Sequence, residues 1–250
     1  MITVRSLAFN GAFYVWTAFM CILYIPAFAL PRMIMVRGQE RWAIGVNWLM
    51  KRLAGIDVEI RGREHLPPGA CIVASKHQSA WDTLIWHQVL NDPAVIIKKE
   101  LTYIPVYGWI CQKTKMIAVD RSGGTKALRG MLKAAREARD TGRQVTIFPE
   151  GTRSAPGETN PYQSGIAAVY GDLDVPVIPV AVNSGLFWPR RRFMRQPGTI
   201  VLEFLKPIAP GLKRKPFMAQ LEREIETAAK RLVTEGRQEI LGDKPVKESR

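Results

Sequence analysis

From Leu7 to Leu30 the chain carries no charged side chain, and the run includes Phe9, Phe13, Tyr14, Trp16, Phe19, Ile22, Leu23, Tyr24, Ile25 and Phe28. About 20 apolar residues are enough to cross a bilayer core. A buried core helix seldom runs so far without a charge, so lipid is the better solvent for this segment. A cleaved signal peptide fits poorly, because the run is long and Arg5 makes only a thin basic n-region. Pro26 and Pro31 interrupt the pattern, Met33-Ile34-Met35-Val36 follows, and Trp42 and Trp48 lie beyond. A bent helical hairpin held in one leaflet therefore suits the sequence as well as a single crossing does. Residues 1–52 read as an N-terminal helical membrane anchor. Arg32, Arg37, Arg41, Lys51 and Arg52 follow the run while Arg5 alone precedes it. The positive-inside bias then puts the remaining domain on the cytoplasmic face of the membrane.

The 250 residues suffice for one domain with a sizeable core, and 47% hydrophobic with 23% charged residues excludes a wholly disordered chain. The formal charge of +14 implies acidic partners: anionic lipid, nucleic acid or an acidic carrier protein. Nucleic acid is disfavoured, since the basic residues are spread along the chain without a recognition motif. Cys21, Cys71 and Cys111 are scattered without metal spacing, which argues against a disulfide framework and suits a reducing compartment.

Beyond the anchor, residues 53–241 alternate strand and helix patterns. Strands are expected at 57–60, 71–75, 95–97, 115–119, 145–148, 175–182 and 200–204. Pro176 and Pro179 limit central pairing of the sixth. Helices are expected at 81–89, at 127–139 with a stop near Gly142, and along the stripe Phe217, Leu221, Ile225, Ala228, Leu232. The alternation predicts an α/β domain, a mixed β-sheet flanked by helices. The segment 242–250 reads as a disordered tail.

Three blocks carry chemistry. In Lys76-His77-Gln78-Ser79-Ala80-Trp81-Asp82 a histidine precedes an aspartate by five positions, where an apolar strand gives way to a helix. Such a pair can take a proton from a hydroxyl, with the carboxylate orienting the imidazole. Ser79 and Asp82 also satisfy a capping box, and the two roles are compatible at one helix N-terminus. No serine or cysteine nucleophile accompanies the pair, so the attacking hydroxyl would belong to a substrate. In Phe148-Pro149-Glu150-Gly151-Thr152-Arg153-Ser154, Gly151 permits close backbone approach and Arg153 offers a planar fork suited to phosphate. Lys98, Lys99 and Arg121 fall at strand ends, where α/β folds gather ligand groups. Arg190-Arg191-Arg192 with Arg195 reads as a solvated or lipid-facing patch, and His65 and His87 as structural. Serine-hydrolase, P-loop, zincin and Rossmann signatures are absent from the sequence.

In this order, these blocks and Val177-Ile178-Pro179-Val180-Ala181-Val182 resemble the glycerolipid acyltransferases, most closely the bacterial 1-acyl-sn-glycerol-3-phosphate acyltransferase family. Lys76 departs from it, since many members have asparagine before the histidine. The resemblance implies acyl transfer from a thioester, acyl-CoA or acyl-acyl carrier protein, to the sn-2 hydroxyl of lysophosphatidate, giving phosphatidate. His77 would be the general base and Asp82 its partner. Glu150, Gly151, Thr152 and Arg153 would bind the acceptor, with Lys98 and Arg121 as further phosphate contacts. No metal or cofactor is implied. Glycerol-3-phosphate or a lyso-ornithine lipid are alternative acceptors. A non-catalytic binder of anionic lipid or nucleic acid is the reading from another class.

Overall fold

A computed structural model of the chain describes residues 2–242; the expected tail lies outside that range but for Gly242. Helix α1 (Ile2–Leu23) and helix α2 (Arg32–Leu49) form a hairpin joined by a short 3-10 turn at Pro26–Ala29. The turn follows from the prolines: Pro26 cannot continue α1, and Pro31 pre-sets the backbone that enters α2. A π-helical turn, Met50–Ala54, prolongs α2, and Gly55 ends it in the left-handed region at φ 72°. The hairpin thus runs two residues beyond the expected boundary at 52.

The elements that follow are β1 (Ile56–Arg61), β2 (Ile72–Ser75), α3 (Trp81–Leu84), α4 (Trp86–Val89) and β3 (Ala94–Lys98). Next come α5 (Tyr107–Lys113), β4 (Ile117–Val119), α6 (Gly124–Asp140) and β5 (Val145–Ile147). The chain closes with α7 (Ser164–Leu173), β6 (Val177–Val182), β7 (Gly198–Phe204) and α8 (Arg214–Leu241). The seven strands form one mixed sheet in the order β1-β7-β6-β2-β5-β3-β4. Strands β6, β2, β5, β3 and β4 are mutually parallel; β7 runs antiparallel to β6 and parallel to β1. Loops leaving the carboxyl ends of the five parallel strands therefore converge on one edge.

Pro179 sits in β6, a central strand. It faces β7 between the Val177–Ile208 bridge and the ladder that starts at Val180–Phe204, and its carbonyl accepts from Leu205 N–H. The reciprocal bond to Leu205 is lost with the missing donor, so the proline costs β6 one bond, at the end of its ladder with β7. The single helix expected at 81–89 is two short turns broken at Ile85.

Alternation along the strands sorts the core onto two faces. Ile72, Ala74 and Val177 pack with Met131, Ile166, Phe217, Leu221 and Ile225 of α6, α7 and α8. Val73, Ile178, Val180 and Val182 pack with Trp81 and Trp86 and with Phe9, Ala43, Val46 and Met50 of the hairpin. The hairpin is thus part of the domain's core, each of its large buried side chains contributing roughly 2 kcal/mol. Contacts hold it along its whole length. Arg5 Nε donates to Leu53 O, Asn10 to Phe193 O, and Phe9 and Phe13 pack edge-on against Trp188. Trp16 Nε1 donates to Trp42 O, Lys113 Nζ reaches Phe28 O, and Arg32 pairs with Asp92. The opposite face of α1 is exposed and apolar: Val4, Leu7, Tyr14, Val15, Phe19, Ile22 and Leu23.

Candidate active site

β2 ends at Ser75, next to Lys76 and His77, at the sheet edge where the parallel strands finish. His77 Nδ1 lies 3.0 Å from Asp82 Oδ2. The same oxygen accepts the backbone N–H groups of Gln78 (2.6 Å) and Ser79 (2.7 Å), and Oδ1 accepts from the Ser184 hydroxyl. Ser79 Oγ in turn accepts from Trp81 N–H at 3.1 Å. Only the carboxylate half of the expected capping box forms: α3 begins after Ala80, the Ser79 hydroxyl reaches Trp81 N–H and not Asp82 N–H, and the carboxylate that takes Ser79 N–H also holds the imidazole. Asp82 is fully buried, while 12% of the His77 side chain reaches solvent. With Nδ1–H committed to the carboxylate, a neutral ring carries its free lone pair on Nε2. Phe148 stacks on the imidazole with centroids 4.1 Å apart, fixing its plane.

His77 borders a cleft of about 460 Å³ lined by Lys98, Arg121, Gly151, Thr152, Arg153, Arg190 and Arg191. The cleft shares Arg121, Gly151 and Thr152 with a second hollow of similar size that reaches Gly124 and Ser164, the first residues of α6 and α7. Helix N-termini present unpaired N–H groups and partial positive charge. Among the described residues none of the five cations in the cleft has an ion-pair partner. Burial disfavours the charged form of Arg153, helped by Arg190 and Arg191, and burial does the same to Arg121. An anion would relieve both.

Lys98, the last residue of β3, and Arg121, just past β4, stand where the sequence puts them. Gly151 has φ +67°; a Cβ there would be strained and would lie 3.3 Å from Gln163 Cγ and 3.7 Å from Arg121 Nη1. Glu150 differs from the expectation of acceptor contact. Its carboxylate is buried and turned inward, 2.9 Å from Lys76 Nζ, and accepts from Ser154 Oγ and Asn160 N–H. Lys76 is itself 1% exposed and also meets Glu226 of α8 at 2.8 Å and Glu158 O at 2.9 Å. Thr159 and Tyr162 donate to Glu226 as well. This cluster clamps the loop 150–160 to the residue preceding His77, and Ser154 N–H closes it by donating to His77 O at 2.9 Å.

Sequence reasoning missed four contributors. Ser184 follows an apolar strand with no motif to mark it; its only signal is a polar pair, Asn183-Ser184, at a parallel strand's carboxyl end. Glu226 lies in an amphipathic stripe as an apparently surface residue. Arg190 and Arg191 read as a surface patch, yet they line the cleft with His77. His65 and His87 are away from it: His65 Nδ1 meets Phe204 O, and His87 lines a cavity between the hairpin and α5.

A dyad facing a cationic cleft suits transfer to a hydroxyl on an anionic molecule. The family described as Acyltransferase matches residues 57–183. The 1-acyl-sn-glycerol-3-phosphate acyltransferase of Pseudomonas aeruginosa is 37% identical over 161 residues, 64% of this chain and 63% of that protein. The Mus musculus 1-acyl-sn-glycerol-3-phosphate acyltransferase alpha is 33% identical over 210 residues, 80% of this chain and 72% of that protein. The crystal structure of the 1-acyl-sn-glycerophosphate (LPA) acyltransferase from Thermotoga maritima has the same fold, with TM-score 0.76 at 23% identity over 93% of this chain and 98% of that one. The matched span holds His77 just past β2 and Asp82 in α3, and the chain belongs to the acyltransferase family.

Proposed function

We propose that this chain is a membrane-associated 1-acyl-sn-glycerol-3-phosphate acyltransferase that moves a fatty acyl group from a thioester to the sn-2 hydroxyl of lysophosphatidate, giving phosphatidate. The observation that carries the reading is a carboxylate-anchored imidazole beside five cations that have no ion-pair partners among the described residues. His77 Nε2 takes the proton of the acceptor hydroxyl as its oxygen bonds to the thioester carbonyl carbon. The tetrahedral intermediate then collapses, the C–S bond breaks, and the departing thiolate takes the proton back from the imidazolium. Base catalysis of this kind supplies about a hundred- to ten-thousand-fold. Asp82 balances the transient imidazolium, and Ser184 with two backbone N–H groups keeps that carboxylate in place.

Transfer is direct, without an acyl-enzyme. The hydroxyls of Ser154 and Ser184 are engaged by His77 O and by Asp82. Cys71 and Cys111 are buried, and burial pushes their thiols up to about 12 and about 11. The reading needs no metal or cofactor.

The acceptor phosphate is only a few bonds from the attacking oxygen, so it falls within the His77 cleft, against Lys98, Arg121, Gly151, Thr152 and Arg153. Lyso-ornithine lipid would bring an ammonium into this cluster of cations, and glycerol-3-phosphate would leave the exposed apolar surface unused. The apolar face of α1, with Tyr103, Ile104 and Trp109, lies in one leaflet of the cytoplasmic membrane, a placement favoured by the contacts that Ser6, Phe9, Asn10 and Phe28 of the hairpin make with the domain. Purified protein assayed with lysophosphatidate, glycerol-3-phosphate and lyso-ornithine lipid tests this: lysophosphatidate should be the preferred acceptor, and preference for another would overturn the assignment.

A further inference from the structure

Arg190, Arg191 and Arg192 sit on a loop that the structure holds with unusual firmness. Arg195 Nη1 donates to the carbonyls of Arg192, Phe193 and Met194, its Nη2 donates to Asn10 Oδ1, and its backbone N–H donates to Ser6 Oγ. Its guanidinium also lies over the Trp188 ring, 4.9 Å from the centroid. Within this brace Arg191 adopts φ +57°, a left-handed conformation that costs a branched-free side chain roughly 1 kcal/mol or more. Arg190 Nη1 donates to Arg153 O, tying the loop to the wall of the cleft.

Behind that wall lies a third hollow of about 640 Å³, lined by Gln78, Arg153, Ser154, Arg190 and Arg192, which His77 does not reach. Glu158 is the one acidic residue on its rim, against three arginines, and none of the four has an ion-pair partner among the described residues. Burial, then Arg190 and Arg191, disfavours the charge on Arg153, so the cluster is electrostatically incomplete without an anion. Two anionic substrates must meet at His77. The acceptor's phosphate is a few bonds from its reacting oxygen and belongs beside the dyad. A pantetheine-linked donor carries its phosphate at the far end of the pantetheine arm from the sulfur. It needs a cationic site set apart from the dyad but open to it.

We infer that the hollow bounded by Arg190, Arg192 and Arg153 binds the phosphate of the acyl donor's phosphopantetheine arm, with the Arg195 brace holding the arginines in place. The inference rests on the acyl-transfer reading above. Acyl-CoA and acyl-acyl carrier protein share this chemistry. The loop's exposed Phe193 and Met194 put it near the lipid surface as well, so a headgroup-binding role is the competing outcome.

The test compares acyl-CoA and acyl-acyl carrier protein with acyl-pantetheine, which lacks the phosphate, as donors to lysophosphatidate. The wild-type protein, Arg190→Ala, Arg192→Ala and the double variant are assayed in detergent micelles. Wild-type transfer with any donor tests the activity itself, independently of this site. For the phosphate site, the ratio of kcat/KM for each phosphate-bearing donor over acyl-pantetheine should fall about tenfold or more in the double variant, as expected for loss of charge-assisted hydrogen bonds. An unchanged ratio overturns the inference. So does a raised acceptor KM with the ratio unchanged, which would make the arginines acceptor contacts. Reduced sedimentation with anionic vesicles and an unchanged ratio would make the loop a headgroup patch. A fall confined to the carrier protein would show that the loop reads protein surface instead of phosphate.

Discussion

Replacing Lys76 with methionine should leave two buried carboxylates without their cation. The Lys76 and Glu150 side chains are each 1% exposed and Glu226 is 11% exposed, so water cannot take the ammonium's place. Glu150 would keep only Ser154 and Asn160 N–H, and Glu226 only Thr159 and Tyr162. Breaking a buried pair from one side costs about 3–5 kcal/mol. For a chain of this size that lowers Tm by roughly 10 °C. Glu226→Gln keeps the Lys76–Glu150 pair and should cost only about 1–2 kcal/mol. In the double variant one of the two orphaned charges is gone, so its cost should fall below that of Lys76→Met alone. Urea unfolding followed by circular dichroism in detergent measures all three. Activity should track the same order, since the cluster ties the loop 150–160 to His77. Singles that add to the double, or a Lys76→Met cost below about 1 kcal/mol, would refute the clamp.

Ser184→Ala removes one donor from Asp82 and should lower kcat several-fold while leaving the acceptor KM unchanged; a purely stability-driven loss would count against its positioning role. His87, buried without a partner on Nδ1 among the described residues, has its pKa lowered from 6.5 to about 4 by burial. The unfolded chain therefore binds more protons between those values, and stability should fall by about 2–3 kcal/mol as pH drops from 6.5 to 4. His87→Phe should flatten that slope in urea melts at several pH values, and an unchanged slope would assign it to other groups. Leu7→Asp with Val15→Asp on the exposed face of α1 should release the protein from vesicles in a flotation assay; undiminished binding would argue that α1 does not meet lipid.

Much of the fold was legible because local patterns and tertiary demands agree. The apolar runs at β2 and β6 read as strands, though the prolines of β6 spoke against its central place, and the α8 stripe buries Phe217, Leu221, Ile225 and Leu232 as its spacing requires. Helix α7 was not legible: Gly165 and Gly171 dilute its periodicity, and burial against α6 and α8 overrides weak propensity. The hairpin's long apolar run announces lipid but not that Phe9 of α1 and Ala43 and Val46 of α2 pack into the domain core, since both solvents want the same side chains. At the site, Lys98 and Arg121 were legible from strand ends, His77 and Asp82 from their spacing, Gly151 and Arg153 from residue type, and Thr152 only through the family resemblance. Glu150 was legible as a motif member but not in its orientation, which depends on Lys76 and on Glu226 from a distant helix. Ser184 and Arg190 meet the site only through the sheet order, which one sequence does not display.

The most direct test of the mechanism is the transfer rate of His77→Ala with lysophosphatidate and acyl-CoA, alongside its circular dichroism and vesicle binding. The side chain makes one hydrogen bond and one ring stack, so the variant should stay folded and membrane-bound. Loss of the base should lower transfer by at least about a hundredfold. Wild-type transfer in the folded variant would contradict the assignment of His77 as general base.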